Sequence, residues 1–363
     1  MTKTKKNTKY PTVSVCTPTF NRRPFLPYVI KCFENQTYPK DKIEWIVVDD
    51  GTDKVEDLFT GVPQVKYYKY ETQMLLGKKR NIANSKCNGD IIIYMDDDDY
   101  YPPERISHAV ETLLQNPTAL CAGSSEMHLY FKHVQKMYQF GPYGKNHATA
   151  ASFAFKKELL NMTSYDDTAA LAEEKYFLKD YTIPFVQLDP LKTILVFSHI
   201  HNSFDKKKLL EQGPNSYMKL SNKTVEDFVK EENIKQFFME DIDEILNNYQ
   251  PGHPDNKPEV LKQIDVITKK REDMMKQQIE KQNHYNEILR SKNINPESSD
   301  PLKKINEMNI VLNELFVENN KLKDKVKYLE EKIRAIINEK IQEKKNSIGN
   351  NTVNTIVNSN DNN

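Results

Sequence analysis

Short runs of consecutive apolar residues alternate with segments of helical apolar spacing along the first third of the chain. Such runs are typical of strands buried on both faces of a parallel sheet, and apolar residues three or four apart are typical of amphipathic helices. The alternation predicts an α/β fold with βαβ crossovers, that is, a Rossmann-like and mostly parallel sheet with helices on its faces. The predicted strands are residues 13–17, 45–51, 64–69 and 91–95, and the predicted helices are residues 24–36, 78–86 and 106–115.

Further strands follow, with less regular spacing, up to about residue 208. Residues 121–131 and 136–141 are predicted strands, and residues 144–160 are predicted to form a strand that runs into a helix. A last strand ends in His199 and His201, which we expect to share one face because side chains two apart do so in a strand.

The composition shifts from about residue 209 to Lys, Glu, Asn and Gln with helical periodicity. Two prolines, Pro251 and Pro254, separate a predicted helix at residues 225–249 from a second at residues 259–291, and residues 295–301 form a linker before a last helix. The predicted organisation is a disordered basic leader (residues 1–10), an α/β domain (residues 11–208), a helical region (residues 209–300), a coiled coil (residues 301–345) and a disordered Asn-rich tail (residues 346–363).

The last helix carries a regular heptad pattern. Leucine at d with β-branched residues at later a positions favours two parallel strands, and the single Asn319 at a fixes their register. Glu318 faces Lys323 of the second strand, and Lys325 faces Glu330. The pattern predicts a homodimer, although one amphipathic helix packed on its own domain is the alternative. The a positions are Ile305, Leu312, Asn319, Val326, Ile333 and Lys340, and the d positions are Met308, Leu315, Leu322, Leu329 and Ile336.

Composition and charge limit the partners and the cellular compartment that can be expected. Lys+Arg and Asp+Glu each total 52, so the net charge does not favour nucleic acid, and no nucleic-acid partner is predicted. No apolar run is long enough to cross a membrane, and the N-terminus lacks the apolar segment of a secretory signal. Four widely spaced cysteines are typical of free thiols in a reducing compartment. We therefore expect a cytoplasmic protein without a membrane span.

Candidate chemistry stands at the end of the fourth predicted strand, where the apolar run 91–95 meets four aspartates, Asp96–Asp99. If the strand geometry continued, Asp96 and Asp98 would point to one face and Asp97 and Asp99 to the other. Carboxylates this close need compensating charge, and Mg²⁺ or Mn²⁺ is the cation that suits them. The alternative is a solvated acidic turn, since Asp is common in turns.

The second predicted strand also ends in acids, Asp49 and Asp50, and ligands of open α/β sheets gather at the carboxyl ends of the strands. The chain contains neither GxGxxG nor GxxxxGK[ST], the two glycine-rich phosphate motifs. Acidic strand ends with a metal ion would take over that role. For Lys78 and Lys79, in the helix between, we expect a solvated helix face.

Three stretches, VSVCTPTFNR, EWIVVDDGTD and GKKRNIANSKCNGDIIIYMDDDDYYPPERI, resemble the N-terminal half of the nucleotide-sugar-dependent glycosyltransferases of family 2, which have the GT-A fold. The resemblance covers roughly the first 110 residues and places the DxD motif of the family on Asp96–Asp98. It implies that Asp98 and Asp96 bind the metal ion, with Asp97 close to it or at the ribose. It further implies that Asp50 contacts the uracil, that Pro18 and Thr19 line the nucleotide pocket, and that Arg80 faces the diphosphate.

The resemblance also implies catalytic acids further along the chain. Glu173 and Glu174 precede an apolar helical face and resemble an acidic pair of the family, whose second member is the general base. Glu174 would then deprotonate the acceptor hydroxyl, but the family has Asp in this place, which leaves Glu173 as the alternative. A late histidine completes the metal site in several GT-A enzymes; His201 is the implied ligand here and His199 its alternative.

The predicted function is therefore a glycosyltransferase that uses Mn²⁺ or Mg²⁺ to transfer a sugar from a nucleotide diphosphate, UDP by the resemblance, to a hydroxyl acceptor. The resemblance also implies inversion at the anomeric carbon, with retention as the alternative. The acceptor, whether glycan, protein or another molecule, and the donor sugar are left open. One alternative is a nucleotidyltransferase, against which the missing glycine-rich basic loop argues. Another is a catalytically inactive GT-A domain that serves as a coiled-coil scaffold or binds sugar nucleotides.

Overall fold

The computed structural model describes residues 10–211, 216–291 and 301–357, and in the last range it describes side chains at Ile305 and at residues 309–341. The predicted leader, most of the predicted linker at residues 295–301 and the side chain of Met308 lie outside these residues. The strands are β1 (Val13–Thr19), β2 (Ile43–Asp49), β3 (Val65–Lys69), β4 (Ile91–Tyr94), β5 (Cys121–Gly123), β6 (Met127–Phe131), β7 (Lys136–Phe140), β8 (Ala154–Lys156), β9 (Phe185–Gln187), β10 (Leu195–Ser198) and β11 (Met218–Leu220).

The helices match the predicted ones closely in the first third of the chain and less closely after it. They are α1 (Leu26–Glu34), α2 (Leu76–Lys86), α3 (Arg105–Gln115), α4 (Glu174–Phe177), α5 (Lys208–Glu211), α6 (Val225–Phe228), α7 (Glu232–Gln236), α8 (Ile242–Asn247), α9 (Pro258–Ser291) and α10 (Pro301–Val357).

The main sheet confirms the predicted α/β class. Its order is β3-β2-β1-β4-β8-β5-β9, and β1 pairs in parallel with both β2 and β4. Alternate residues of the central strands enter two different cores: Val15 and Ile93 pack on the side of α1 and α3, whereas Cys16 and Ile92 pack on the side of α2. The unbroken apolar runs therefore arise because both faces of the sheet are covered by helices.

A second sheet, in the order β10-β6-β7-β11, is mostly antiparallel, although β10 pairs in parallel with β6. The prediction of one strand over residues 121–131 is wrong, because the segment divides between the two sheets as β5 and β6. The predicted helix after residue 156 is only a 3-10 turn, Lys157–Asn161.

The prediction of one helix at residues 225–249 is also wrong, because the segment forms three short helices with a π-helical turn, Phe237–Asp241. The first break follows Phe228, where Val229 is extended and Tyr100 donates its hydroxyl to the Phe228 carbonyl at 3.2 Å. A tertiary contact here outweighs helix propensity.

Apolar side chains of α6 to α8 share the core of β1. Phe237 stacks on Tyr28 with ring centroids 3.8 Å apart, and Leu246 is fully buried. The chain divides into two compact units, the first ending at Lys269 and the second beginning at Lys270. The predicted domain boundary at residue 208 therefore falls inside the first unit.

The second unit contains most of α9 and all of α10. Helix α10 runs on to Val357, past the predicted start of the tail at residue 346. Its described heptad side chains are exposed, for example Leu322 at 57% and Val326 at 54%, except Leu315, which is half-buried. The coiled coil stays a prediction. No helix among the described residues has the length and apolar character needed to cross a membrane.

Candidate active site

The carboxyl ends of β1, β2 and β4 meet at one edge of the main sheet. Thr19 pairs with Asp49 in the register of β1 and β2, and Cys16 pairs with Tyr94 in that of β1 and β4. The residues that follow these strands therefore come together. At Gly51 a Cβ atom would lie 2.6 Å from the backbone nitrogen of Asn21, so the close approach of the two loops requires glycine.

The two aspartates after β2 have different roles. Asp49 accepts hydrogen bonds from the backbone N–H groups of Gly51 and Val55, at 2.8 and 3.2 Å, and from the Tyr67 hydroxyl, so it holds its own loop. Asp50 accepts from the backbone N–H of Met74 at 2.6 Å and lines a hollow of about 450 Å³. The predicted uracil-binding residue is thus the one that reaches the cleft.

Lys79 corrects one expectation. Its side chain is buried, forms an ion pair with Asp50 and donates to the Thr19 carbonyl at 3.0 Å. The expected solvated face holds for Lys78, which is exposed. The signal was present in the sequence, since Lys79 lies one turn before the buried Ala83 on the inner side of α2.

Arg80 joins three segments of the chain. Its guanidinium donates two hydrogen bonds to Asp96, at 3.1 and 3.0 Å, and one to Glu173 at 2.8 Å. Burial alone would lower the pKa of Arg80, but the attraction of Asp96 and Glu173 outweighs it and raises the pKa well above its usual value. The structure thus places Arg80 between two carboxylates, whereas the family resemblance implies that it faces the diphosphate.

Arg22 is the cation beside Asp97 and Asp98, as Arg80 is beside Asp96. Its guanidinium donates to Asp98 at 3.2 Å and lies 3.6 Å from Asp97. Both acids therefore face one cation, and the expectation that they point to opposite faces is wrong because β4 ends at Tyr94, before the acids begin. No motif in the sequence indicated Arg22, although it lies in the loop after β1 that the topology brings to this edge.

Three of the four acids have shifted pKa values. At Asp98 burial acts to raise the pKa, but the attraction of Arg22 outweighs it and lowers the pKa well below its usual value. At Asp97 burial prevails over Arg22 and raises the pKa to about 6. Burial and the charge of Asp98 raise the pKa of Asp99 well above its usual value. Of these three acids, Asp98 is therefore the one whose charged form the site stabilises most.

The two histidines do not share a face, because β10 ends at Ser198 and the chain then turns. The backbone N–H of His199 donates to Asn202 Oδ1 at 2.9 Å. This bond orients the Asn202 amide nitrogen toward the ring atom Nε2 of His199, at 2.8 Å. Nε2 therefore accepts, and it lies 3.4 Å from Asp98 Oδ2. The His201 ring is buried without a hydrogen-bond partner among the described residues. His199, the alternative ligand, is thus the histidine beside Asp98.

These side chains can be compared with the needs of a divalent ion. Among the described residues, no three His, Cys, Asp or Glu side chains form a ready-made metal group. A Mg²⁺-type ion in a nucleotide site is, however, held by one or two carboxylates together with phosphate oxygens. An ionised Asp98 fits that requirement. Burial keeps the pKa of His199 low, at about 3, so His199 is neutral beside Asp98, and its Nε2 lone pair would reach a metal ion only by releasing the Asn202 amide.

A cavity of about 160 Å³ lies next to the acids. Its lining meets that of the hollow beside Asp50 at Phe20 and Gln73. Of the two residues expected to line the pocket, Pro18 does so, whereas Thr19 is buried outside the lining, and its backbone carbonyl accepts a hydrogen bond from Lys79. The lining residues include Pro18, Met74, Lys79, Asp96, Asp97, Asp98, Ala170, Ser203 and Lys257.

The two candidate bases lie at the start of α4, a few residues after Ala170 of the cavity wall. Glu173 is 4% exposed and holds Arg80, whereas Glu174 is only half buried. Glu173 therefore helps to position Arg80, and Glu174 is the more accessible carboxylate of the two.

Residues 14–176 match the family model described as Glycosyl transferase family 2. The GalNAc(5)-diNAcBac-PP-undecaprenol beta-1,3-glucosyltransferase of Campylobacter jejuni is 35% identical over 112 residues, 29% of this chain and 34% of the relative. The poly(ribitol-phosphate) beta-N-acetylglucosaminyltransferase TarS of Staphylococcus aureus is 30% identical over 101 residues, 26% of this chain and 18% of TarS. The chain spans less than half the length of the curated relatives it matches.

Two solved structures are similar over about half of the chain. The S. aureus TarS 1-349 complex with UDP-GlcNAc has a TM-score of 0.40 at 19% identity, covering 51% of this chain and 58% of that one. The mannosyltransferase PcManGT of Pyrobaculum calidifontis, in complex with GDP-Man and Mn²⁺, has a TM-score of 0.39 at 19% identity, covering 50% and 55%.

Removing Arg80 tests its part in the site. We expect Arg80→Met to lower the free energy of unfolding by about 3 kcal/mol, because it leaves the buried carboxylate of Glu173 and the half-buried carboxylate of Asp96 without their cation. Urea unfolding measures the loss. The exposed Lys78→Met is the matched control, with an expected change within about 0.5 kcal/mol. Equal stability of the two variants would show that the ion cluster does not hold the site together.

Proposed function

We propose that this chain, whose residues 14–176 match the family 2 glycosyltransferase model, transfers a sugar from a nucleotide diphosphate, with UDP as the nucleotide, to a hydroxyl acceptor. The observation that carries the proposal is the placement of Asp96, Asp97 and Asp98 in the wall of a cavity that adjoins the hollow of Asp50. A nucleotide can lie across the strand ends in that arrangement, with its base toward Asp50 and its phosphates toward the acids.

The proposed metal ion is Mn²⁺ or Mg²⁺, held by Asp98. Asp96 is the second carboxylate at the cavity, although both of its oxygens accept from Arg80. Between the two histidines we now favour His199 as the nearer group over His201. A bound ion would offset the negative charge that develops on a departing diphosphate.

The proposed base is Glu174. Deprotonation of the acceptor hydroxyl requires a carboxylate that the acceptor can reach, and Glu174 is the more exposed of the pair. Glu173 instead positions Arg80, and through it Asp96. We propose a single displacement with inversion, in which the acceptor oxygen bonds to the anomeric carbon as the bond to the diphosphate breaks. The names of the TarS and C. jejuni relatives specify transfer to a β linkage, which is the outcome of inversion when the donor sugar is α-linked.

Sugar release from a panel of UDP-sugars and GDP-mannose tests the function directly. We expect slow hydrolysis of one donor in the presence of Mn²⁺ or Mg²⁺, loss of that activity with EDTA, and a decrease of at least about a hundredfold in Asp98→Ala, because the site then lacks the carboxylate proposed to hold the metal ion. The exposed Asp41→Ala is the control. Binding of a nucleotide without any cleavage, even with acceptors supplied, would favour the inactive-scaffold alternative.

Glu174→Gln separates the base from donor binding. We expect sugar transfer to fall by about 10²–10⁴-fold, the usual contribution of a general base, while the dissociation constant of the nucleotide stays within about twofold. Glu158→Gln, at an exposed position outside the cleft, serves as the control. A Glu174→Gln enzyme with wild-type turnover would assign the base elsewhere, and Glu173→Gln at unchanged stability would then be the next variant to test.

We also propose that residues 301–345 form a parallel coiled coil with a second copy of this chain. The d residues Leu322, Leu329 and Ile336 are 57%, 46% and 48% exposed, and a partner helix would cover this stripe. The flanking Glu318 and Lys323 match a parallel pair in charge.

Light scattering at micromolar concentration tests the dimer. We expect twice the monomer mass for the wild type and the monomer mass for Leu322→Lys/Leu329→Lys, because two charges per chain would be buried in the seam. Lys321→Glu, outside the seam, should remain dimeric. A wild-type monomer would contradict the proposal.

A further inference from the structure

A segment far from the family-matched part of the chain covers the cleft. Residues 249–263, here called the strap, contain two 3-10 turns and the start of α9. At its first end, the Tyr249 hydroxyl donates to Asp53 at 2.8 Å and the Asn21 amide donates to the Pro251 carbonyl at 2.8 Å. These bonds fix the strap to the loops after β1 and β2.

The other end of the strap is fixed to the opposite side of the cleft. The Gln263 amide donates to the Thr168 carbonyl at 2.7 Å and accepts from the Ala170 N–H at 2.9 Å. Between the two ends, Gln73 donates to the Asn256 carbonyl at 3.2 Å. The strap therefore spans from the strand-end loops to the segment that leads to Glu173, with the cavity beneath it.

Close packing keeps the strap in this position. A Cβ atom at Gly252 would lie 2.7 Å from both the Asn21 carbonyl oxygen and His201 Nδ1, so no larger residue fits there without a shift. The strap also lines both hollows of the cleft, through Gln250 and Asn256 beside Asp50 and through Lys257 beside the acids.

Lys257 extends from the strap into the cavity. Its ammonium donates to the Ser203 hydroxyl at 3.2 Å and lies 5.5 Å from the centre of the Phe20 ring. None of the ion pairs within 4.0 Å among the described residues involves Lys257. Burial, with the nearby charge of Arg22, lowers the pKa of Lys257 to about 7, although the charges of Asp97 and Asp98 act in the opposite direction. The groups in direct contact with this ammonium are therefore neutral, in a place where an anion bound to it would stabilise its charge.

Three other cations near the cavity are already neutralised. Lys79 is paired with Asp50, Arg80 with Asp96 and Glu173, and Arg22 with Asp98. A nucleoside diphosphate that enters the cleft brings at least two negative charges beside the carboxylates of Asp97 and Asp98. Of the two lysines that line the cavity, Lys79 and Lys257, Lys257 is the one that can bind a phosphate oxygen without releasing a carboxylate.

We propose that Lys257 binds the diphosphate of the nucleotide donor and that the strap completes the donor site from outside residues 14–176. The inference rests on the proposed function, since it assigns a further residue to that same site. It gives the C-terminal half of the first unit a part in donor recognition. In this proposal Lys257 contributes affinity for the diphosphate, whereas the base of the nucleotide is bound in the hollow beside Asp50.

Nucleotide and nucleoside binding by Lys257→Met test the assignment. We expect the dissociation constant of UDP, measured by calorimetry with Mg²⁺ present, to rise by roughly tenfold to a hundredfold, the size of one lost hydrogen bond to a charged group. Uridine lacks phosphate, and its dissociation constant, measured by ligand-observed NMR, should stay within about twofold. Lys257→Arg should retain most of the UDP affinity. Lys262→Met, at an exposed position five residues along, is the matched control.

The outcomes separate the two claims. Unchanged UDP affinity in Lys257→Met would overturn the assignment of Lys257 and leave the proposed function intact. Equal weakening of UDP and uridine would also overturn it, because the residue would then act by holding the strap in place. A wild-type protein that binds neither UDP nor GDP would refute the proposed function itself. Thermal unfolding of Lys257→Met should match the wild type, since no described ion pair is lost.

Discussion

The candidate site depends on the buried contacts of Arg80 with Asp96 and Glu173. Transfer of these charges out of water costs several kcal/mol for each ion, and only a close, hydrogen-bonded arrangement recovers that cost. Arginine supplies it because its planar guanidinium presents two parallel N–H groups to Asp96 and a third to Glu173. The interaction fixes helix α2, the end of β4 and the start of α4 relative to one another, and so sets where the acids and the candidate base stand.

A second consequence is electrostatic. Burial and Arg22 shift the pKa values of the acids at the strand ends in different directions, lowering that of Asp98 and raising those of Asp97 and Asp99. Most of the surrounding cations are already paired with carboxylates. In the proposed function an anionic donor therefore gains little from these cations, and its phosphates would depend on the proposed metal ion at Asp98 and on Lys257, which reaches the cavity from the strap.

The sequence was sufficient to predict the parts that follow from local pattern and from the rules of parallel sheets. Apolar runs located the central strands, and the carboxyl ends of parallel strands meet at one edge, so Asp50 and the Asp96–Asp98 cluster were expected to lie together. The same rule places the loop after β1 at this edge. Arg22 ends the stretch VSVCTPTFNR in that loop, but an arginine is equally common on exposed surfaces, so the sequence did not indicate that it would pair with the acids.

The remaining features arise from contacts between residues far apart in sequence. The predicted helix at residues 225–249 breaks where Tyr100 donates to the Phe228 carbonyl, and Lys79, whose inward position the spacing of α2 does indicate, pairs with Asp50. The sequence of the strap is typical of a proline-containing connection between helices, and its position across the cleft is set by Asn21, Asp53 and Thr168. Periodicity carries no information about such pairings, so they became visible only in the folded chain.

Hydrogen–deuterium exchange with and without UDP and Mg²⁺ tests the central claim most directly, namely that the strand ends and the strap together form one nucleotide site. The account predicts slower exchange, on nucleotide binding, in the backbone amides of residues 18–22, 50–52, 74–80, 96–99 and 249–263. Protection confined to other parts of the first unit, or protection of the strand ends without the strap, would contradict it.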